Sequence, residues 1–306
     1  MKSSWLKIIA SFFAIALIAA ACGGSDSGSS DTASSSETAT ETAEEEVIEA
    51  GTEAEGDVDT EVEEVVAESS YGGSLTIGLE AEATGLRPWE DACSSPCLTM
   101  IQAVYDTLVV LRTDGSVGPW LATDWSANED FTEWTFNLVE GATFHNGTAF
   151  TAQSLVDMFP LQQLGAAAGG IVTAAGLTEV VAVDDTTVKY VLNAAHSAFP
   201  SFLVQPPLGA AFDAEAANAD FDGYSMNPIG TGAFMMDKRD LDNETVVVRN
   251  PNYWMSDADG NQLPYLDSVN FRPIPDEGTR LDSLLSGTNQ AMQTLRQGTI
   301  RDARSA

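Results

Sequence analysis

The sequence predicts a mixed α+β fold for residues 71–306, because strand and helix patterns follow one another there without regular alternation. Apolar and polar residues alternate through Ser74–Glu80 and through Trp134–Val139, as in half-buried strands. Apolar residues at helical spacing fill Cys97–Tyr105, between these two segments. This class, with an irregular α/β arrangement as its nearest alternative, is favoured over a barrel, and no internal repeat is evident.

The remaining elements follow from the same local patterns. Further strands are predicted at Thr107–Leu111, Leu177–Val183 and Thr187–Leu192, the last two as a hairpin. Thr151 is a suitable N-cap for a helix that runs through Met158.

Gly230 and Gly232 raise a separate question, since two glycines one residue apart also occur in phosphate-binding loops. Such a loop needs a preceding strand, a following helix and usually a lysine. Here the residues after Gly232 predict a strand, and Thr245–Arg249 predicts a second strand paired with it in a hairpin. We therefore predict a structural corner, in which the glycines adopt backbone angles closed to other residues.

Residues 1–22 have the charged, apolar and small-residue order of a secretory signal. Lys2 and Lys7 flank an apolar run, Ile8–Ala21, that is short for a membrane span. An ordinary cleaved signal or a short membrane helix would share these features. Because Cys22 follows three alanines, the segment resembles a bacterial lipobox, with Ala19 where leucine is usual. The resemblance implies cleavage before Cys22 and acylation of that residue by fatty acids such as palmitate.

Residues 23–70 are predicted to form a disordered acidic tether. They contain sixteen Asp or Glu and no Lys or Arg, among Ser, Thr, Ala and Gly. Such a segment has too little apolar surface to offset the entropy of ordering it. Residues 71–306 are acidic as well, with thirty acidic side chains against eleven basic ones. This balance argues against nucleic acid or anionic lipid as a partner.

Cys93 and Cys97 are the two cysteines left once Cys22 is assigned to the lipobox. In an exported chain their close spacing predicts a local disulfide. A zinc site is the alternative, but it would need further ligands, and neither His145 nor His196 is near in sequence. We therefore predict no metal and no cofactor.

Four segments of the chain resemble, in order, segments of the bacterial extracellular solute-binding proteins of the oligopeptide, dipeptide and nickel type. They are residues 118–159, with GPWLATDW and FHNGT; NPIGTGAF at 227–234; VVVRNPNYW at 246–254; and YLDSVNFRPIPDEGTRLDSLLSG at 265–287. The resemblance runs from about Gly73 onward and implies a two-lobed, periplasmic-binding-protein-like fold that closes over its ligand. In that family G-T-G-P-F is a structural corner, and Ala233 replaces its proline here.

The function implied by the resemblance is that of a lipid-anchored binding protein with no enzymatic activity. It would capture a peptide or a similar small polar solute for an ABC permease and its ATPase. Its place would be the outer face of the cytoplasmic membrane or the periplasmic space. A secreted hydrolase is the rival interpretation, but no G-x-S-x-G occurs and neither histidine has a partner motif. A surface adhesive protein would suit the tether equally well.

Ligand contacts are predicted in the loop after the first strand, because such loops face the crevice in sheet-based lobes. Trp89 offers a flat apolar contact, Glu82 offers a partner for a cationic terminus, and Thr84 lies in the same loop. The family often has Asp before the proline of this loop, whereas Arg87 precedes Pro88 here.

The resemblance also implies that the chain crosses toward the second lobe at about residues 265–306. Chains of the family continue well beyond this crossing. We therefore expect residues 1–306 to contain mostly the first lobe and to bind the solute poorly by themselves.

Overall fold

The computed structural model describes residues 71–305. The predicted signal at 1–22, with its candidate lipidation residue Cys22, and the predicted tether at 23–70 lie outside the described residues. These assignments stay predictions.

Within the described residues, the structure contains the seven strands predicted from the sequence and four further strands. They are β1 (Ser74–Leu79), β2 (Val109–Leu111), β3 (Val117–Pro119), β4 (Ala122–Ala127), β5 (Glu133–Leu138), β6 (Leu177–Ala182), β7 (Thr187–Leu192), β8 (Phe234–Asp240), β9 (Glu244–Arg249), β10 (Ser268–Pro273) and β11 (Ala291–Met292). They form a five-stranded sheet, a four-stranded sheet and the two-stranded pair β2–β3. The predicted hairpins are confirmed as β6–β7 and β8–β9.

The five-stranded sheet has the order β11-β1-β10-β9-β8 and is mixed. Strand β1 pairs in parallel with β10 on one side and with β11 on the other, whereas β10, β9 and β8 are antiparallel neighbours. The strands β1, β10 and β11 therefore end at the same edge of the sheet.

The four-stranded sheet has the order β4-β5-β7-β6 and is antiparallel throughout. Its inward face carries the alternating apolar residues of β5, and Phe136 is fully buried there. Phe199 packs on the same face, with ring centroids 5.4 Å from Tyr190 and 6.3 Å from Trp134. These rings form the centre of this half of the core.

The helices lie between and beside the strands. They are α1 (Ser95–Val104), α2 (Ala152–Leu164), α3 (Gly169–Ala175), α4 (Pro206–Gly209), α5 (Ala214–Ala219), α6 (Glu277–Leu285) and α7 (Gln297–Ser305), with 3₁₀ turns at Phe199–Val204 and Gly223–Ser225. Thr151 is the N-cap of α2, as predicted, and its backbone N–H donates to Ser154 Oγ at 3.1 Å. The predicted end at Met158 is wrong, because α2 continues through Pro160 to Leu164.

Gly230 and Gly232 form a corner against the end of α1. The Gly232 N–H donates to the Val104 carbonyl oxygen at 2.9 Å. A Cβ on Gly230 would lie 2.2 Å from that oxygen, and a Cβ on Gly232 would lie 2.5 Å from the Val104 carbonyl carbon. The predicted corner is confirmed, but its predicted reason is wrong. Neither glycine has a φ in the left-handed region, and close backbone approach excludes a side chain instead.

His145 forms hydrogen bonds to the backbone of this corner on the other side. The Gly230 N–H donates to His145 Nδ1 at 3.3 Å, and His145 Nε2 donates to the Gly232 carbonyl oxygen at 3.1 Å. Burial lowers the pKa of His145 to about 4, so the folded protein holds the ring neutral at pH 7. Both ring nitrogens are therefore engaged in positioning the backbone.

Within residues 71–305, none of the helices combines the length and the apolar composition that crossing a bilayer requires.

Candidate ligand site

A crevice opens where the three parallel strands end. Strand β1 leads into the loop 80–94, β10 leads into Ile274 and Pro275, and β11 leads into Gln293. Loops that leave the carboxyl ends of neighbouring parallel strands diverge and leave a space between them, which is where open α/β sheets bind ligands. The predicted position of the ligand loop therefore agrees with the sheet topology.

This crevice contains a cavity of about 380 Å³. One wall comes from the loop after β1 and the start of α1, with Glu80, Ala81, Ser94 and Pro96. The other wall comes from the segment that crosses from β10 through α6 toward α7, with Pro275, Glu277, Arg280, Leu295 and Arg296. The volume is within the range of sites for small molecules.

Glu82, the predicted partner for a cationic ligand, is engaged inside the protein. Its Oε1 lies 3.5 Å from Arg239 Nη2, and its Oε2 accepts the Asp242 N–H at 3.2 Å. Arg239 also donates to the backbone oxygens of Ala83 and Ser225, at 2.5 and 2.6 Å. These bonds attach the loop 80–94, which follows β1, to the β8–β9 hairpin.

Trp89 is fully buried, with its ring stacked on Phe212 at a centroid distance of 4.0 Å. Since none of its surface is accessible, its placement corrects the expectation of a direct ligand contact, and Trp89 contributes to the core instead. Thr84 is exposed, and its hydroxyl donates to the Ala92 carbonyl oxygen at 3.4 Å. Neither residue lines the cavity of about 380 Å³.

Arg87 occupies the position where the related family often has Asp. Its Nη2 lies 2.7 Å from Asp91 Oδ1, and its Nε donates to Asp91 Oδ2 at 3.1 Å. The Asp91 carboxylate raises the pKa of Arg87. The ion pair joins two residues of the same loop, and the Arg87 guanidinium is used by Asp91.

Glu80 occupies the position in the cavity that the sequence suggested for Glu82. It directly follows β1 and is half-buried. Among the residues that the structure describes, its carboxylate has no hydrogen-bond partner and no ion pair, although it lines the cavity. Sequence patterns did not distinguish it from Glu82, because both acids lie two residues apart in the same loop.

The opposite wall is held by Arg280, which is 1% exposed. Its Nε donates to the Gln293 carbonyl oxygen at 2.8 Å, its Nη1 donates to the Ile274 carbonyl oxygen, and its Nη2 pairs with Glu277. Glu277 also accepts from Thr294 Oγ1 at 2.6 Å. Arg280 therefore joins the ends of β10 and β11 to the first turn of α6.

Gln293 connects the two walls. Its backbone N–H donates to the Gly78 carbonyl oxygen at 2.8 Å, and its side-chain Nε2 donates to Ser95 Oγ, also at 2.8 Å. Ser95 lies between Cys93 and Cys97, whose Cα atoms are 5.2 Å apart, within the range of disulfides. The cysteine pair thus brackets Ser94 and Pro96 on the cavity wall.

A second cavity, of about 290 Å³, lies at the other end of α1 beside Asp106. Both oxygens of this buried carboxylate are used. Oδ1 accepts from Trp120 Nε1 at 2.8 Å and Tyr253 OH at 3.0 Å, and Oδ2 accepts from Trp254 Nε1 at 2.9 Å and Thr231 Oγ1 at 3.1 Å. Burial raises the pKa of Asp106 against the opposing effect of these donors. Asp106 is a structural acceptor, and a lone acid within the apolar run VYDTLVV was the signal for it.

Both histidines have structural contacts among the described residues. His145 is bonded to the glycine corner, and His196 packs edge-on against Phe202 at a centroid distance of 5.1 Å. In residues 71–305, no group of three or more His, Cys, Asp and Glu side chains has the arrangement of a metal site.

The fold and the crevice define one lobe of a periplasmic-binding-protein-like molecule. The model of the bacterial extracellular solute-binding proteins, family 5 Middle, matches residues 116–305. The chain belongs to family 5 of the bacterial extracellular solute-binding proteins. This membership confirms the predicted family and agrees with a binding protein rather than an enzyme.

Two curated relatives show the extent of the similarity. The nickel-binding periplasmic protein of Escherichia coli (strain K12) is 31% identical over 186 residues, which are 60% of this chain and 34% of the relative. The periplasmic murein peptide-binding protein MppA of the same strain is 30% identical over 217 residues, which are 64% of this chain and 39% of the relative. The chain thus spans less than two-fifths of the length of these relatives.

Solved structures confirm the fold. The ABC transporter-associated periplasmic binding protein DppA from Helicobacter pylori, in complex with peptide STSA, superposes with a TM-score of 0.66 at 23% identity, covering 78% of this chain and 50% of DppA. The PBP AgaA from A. tumefacien R10, in complex with agropinic acid, gives a TM-score of 0.62 at 26% identity, covering 71% and 43%. These neighbours are two-lobed, and the chain corresponds to part of them.

Proposed function

We propose that this protein is the solute-binding component of an ABC importer and that it captures a peptide or another small polar solute. The observation that carries the proposal is the cavity of about 380 Å³ at the carboxyl ends of β1, β10 and β11. Membership of family 5 and the peptide-binding relatives support it. The partners would be a permease and its ATPase.

The walls of the cavity suit reversible binding. The first wall is fixed by the Glu82–Arg239 pair and the second by the Arg280 bonds, so little order has to be gained when a solute enters. Ser94 offers a hydroxyl that makes no capping bond to α1, and Pro96 and Leu295 offer apolar surface. A few polar groups set in an apolar lining are typical of small-molecule sites.

We further propose that Cys22 is lipidated and that residues 23–70 act as a tether between the membrane and the binding domain. The lipobox-like sequence before Cys22 and the acidic Ser/Thr-rich composition support this arrangement. Intact-mass measurement of the protein purified from membranes should find an acylated Cys22 at the amino terminus. A retained Met1 would contradict the anchor.

Native mass spectrometry with a defined pool of di- to pentapeptides tests the binding function. Because mostly one lobe is expected to bind weakly, the wild-type chain should retain peptides only when the pool is at millimolar concentration, and it should leave their masses unchanged after incubation. Ala81→Trp, which places a large ring in the cavity, should abolish retention. Ala194→Trp, at an exposed alanine after β7, is the matched control and should retain the same peptides.

Two results would contradict the proposal. Equal retention by Ala81→Trp and wild type would place binding outside this cavity. Cleavage of the pooled peptides would favour a hydrolase.

A further inference from the structure

The charged side chains that line the cavity differ in whether they have hydrogen-bond or ion-pair partners. Glu277 accepts from Thr294 and pairs with Arg280, and Arg296 Nε lies 3.9 Å from the same Glu277 carboxylate. Glu80 has no such partner within residues 71–305. It is the one acid lining this cavity whose charge the described residues leave uncompensated.

The two arginines do not offset Glu80. The guanidinium of Arg280 is almost fully buried and is used by Glu277 and by backbone oxygens. The side chain of Arg296 is 75% exposed, so water screens most of its charge. Glu80 is half-buried and lines the cavity with Ala81, Ser94 and Pro96. A carboxylate without a counter-ion at such a position attracts a cation.

We propose that Glu80 is the specificity-determining residue of the site and that it binds an ammonium group of the solute. This inference rests on the proposed function of the cavity. An ammonium presents three donors, and the Glu80 carboxylate and the Ser94 hydroxyl on the same wall are acceptors for them. The names of the matched proteins span nickel, murein peptide and agropinic acid, so the family alone does not select this class.

Three forms of one small probe separate the possible charge contacts. Tri-alanine carries both an ammonium and a carboxylate, N-acetyl-tri-alanine lacks the ammonium, and tri-alanine amide lacks the carboxylate. Amide shifts of the ¹⁵N-labelled chain report the affinity of each probe up to millimolar dissociation constants. Wild type should bind the acetylated probe about fivefold more weakly than the free peptide, as expected for a partly exposed ion pair.

Glu80→Gln keeps the shape of the side chain and removes its charge. It should weaken binding of free tri-alanine about fivefold and bind the free and acetylated probes equally well. Glu179→Gln makes the same change at an exposed position of β6, away from the cavity, and should retain the wild-type preference.

Equal binding of free and acetylated probe by wild type would overturn the inference while leaving the proposed function intact. Weaker binding of the amide alone would overturn it in favour of Arg296 and an anionic group. Failure to bind any of the three probes even at millimolar concentration would overturn the proposed function, and this inference with it.

Discussion

Oε1 of Glu82 lies 3.5 Å from Nη2 of Arg239, an arginine whose side chain is 1% exposed. The pair joins the loop after β1 to the β8–β9 hairpin, two segments far apart in the chain. A buried guanidinium without a counter-ion is costly, so this contact has a structural role. Glu82 therefore supports the site without facing it.

Glu82→Gln should lower the free energy of unfolding by roughly 2 to 3 kcal/mol, because it leaves Arg239 buried with its charge uncompensated. Urea denaturation followed by tryptophan fluorescence measures this change. Glu80→Gln is the matched control two residues away and should change stability by less than about 0.5 kcal/mol. Equal stability of Glu82→Gln and wild type would contradict the structural role.

Gly230→Ala and Gly232→Ala should each destabilise the fold by about 3 kcal/mol, because the new methyl group would overlap the Val104 peptide unit. Gly170→Ala is the control, since a methyl group there meets open space within α3 and should be neutral or stabilising by up to about 1 kcal/mol. Thermal unfolding of the three variants tests whether the two corner variants melt below wild type while Gly170→Ala does not. An unchanged melting temperature for both corner variants would rule out the close approach.

His145 should make stability fall as the pH is lowered through the range 6.5 to 4. Its pKa is about 4 in the folded protein and 6.5 in its ordinary state, so the unfolded chain takes up the proton first. The contribution of neutral His145 to the free energy of unfolding is complete above pH 6.5, and about 2 kcal/mol of it is lost at pH 5.

Denaturation at pH 7 and pH 5 tests this against His145→Gln, which retains a donor and an acceptor. The stability advantage of wild type over this variant should shrink by about 2 kcal/mol between the two pH values. Parallel profiles for wild type and His145→Gln would contradict the titration of His145.

Cys93 and Cys97 are predicted to be a disulfide in the exported protein, which fixes the cavity wall at Ser94 and Pro96. Alkylation without reductant, followed by peptide mapping, should leave both residues unlabelled. The double variant Cys93→Ser/Cys97→Ser should lose about 2 kcal/mol, as expected for closing a short loop. Reductant should destabilise wild type and leave this variant unaffected; labelled Cys93 and Cys97 in the unreduced protein would disprove the bond.

The sequence predicted those elements whose pattern is local. Strand β5 and the β6–β7 hairpin were found because one face of each is buried, which makes apolar residues alternate. The end of α2 was missed because Pro160 is tolerated within that helix, a matter of packing that local preference does not report.

The candidate site was predicted as a loop but not as a set of residues. The loop was predicted because it directly follows the carboxyl end of β1. The other wall was not predicted, because the partner strands β10 and β11 lie about two hundred residues later in the chain. Glu82 pairs with Arg239, whereas Glu80 lines the cavity. The sequence did not show this pairing, because Arg239 is far from Glu82 along the chain. Trp89 was expected to contact the ligand because the sequence alone did not show that Phe212 packs on its ring.

Amide shifts mapped over the whole chain during titration with tri-alanine show directly whether the solute binds in the cavity of about 380 Å³. We expect shifts that saturate together at Glu80, Ala81, Ser94 and Glu277, around the cavity at the carboxyl ends of β1, β10 and β11. Gln102, Thr107 and Leu111, beside the second cavity at Asp106, should stay unchanged. Saturating shifts confined to this second group would show that the solute binds beside Asp106 and not at the ends of the parallel strands.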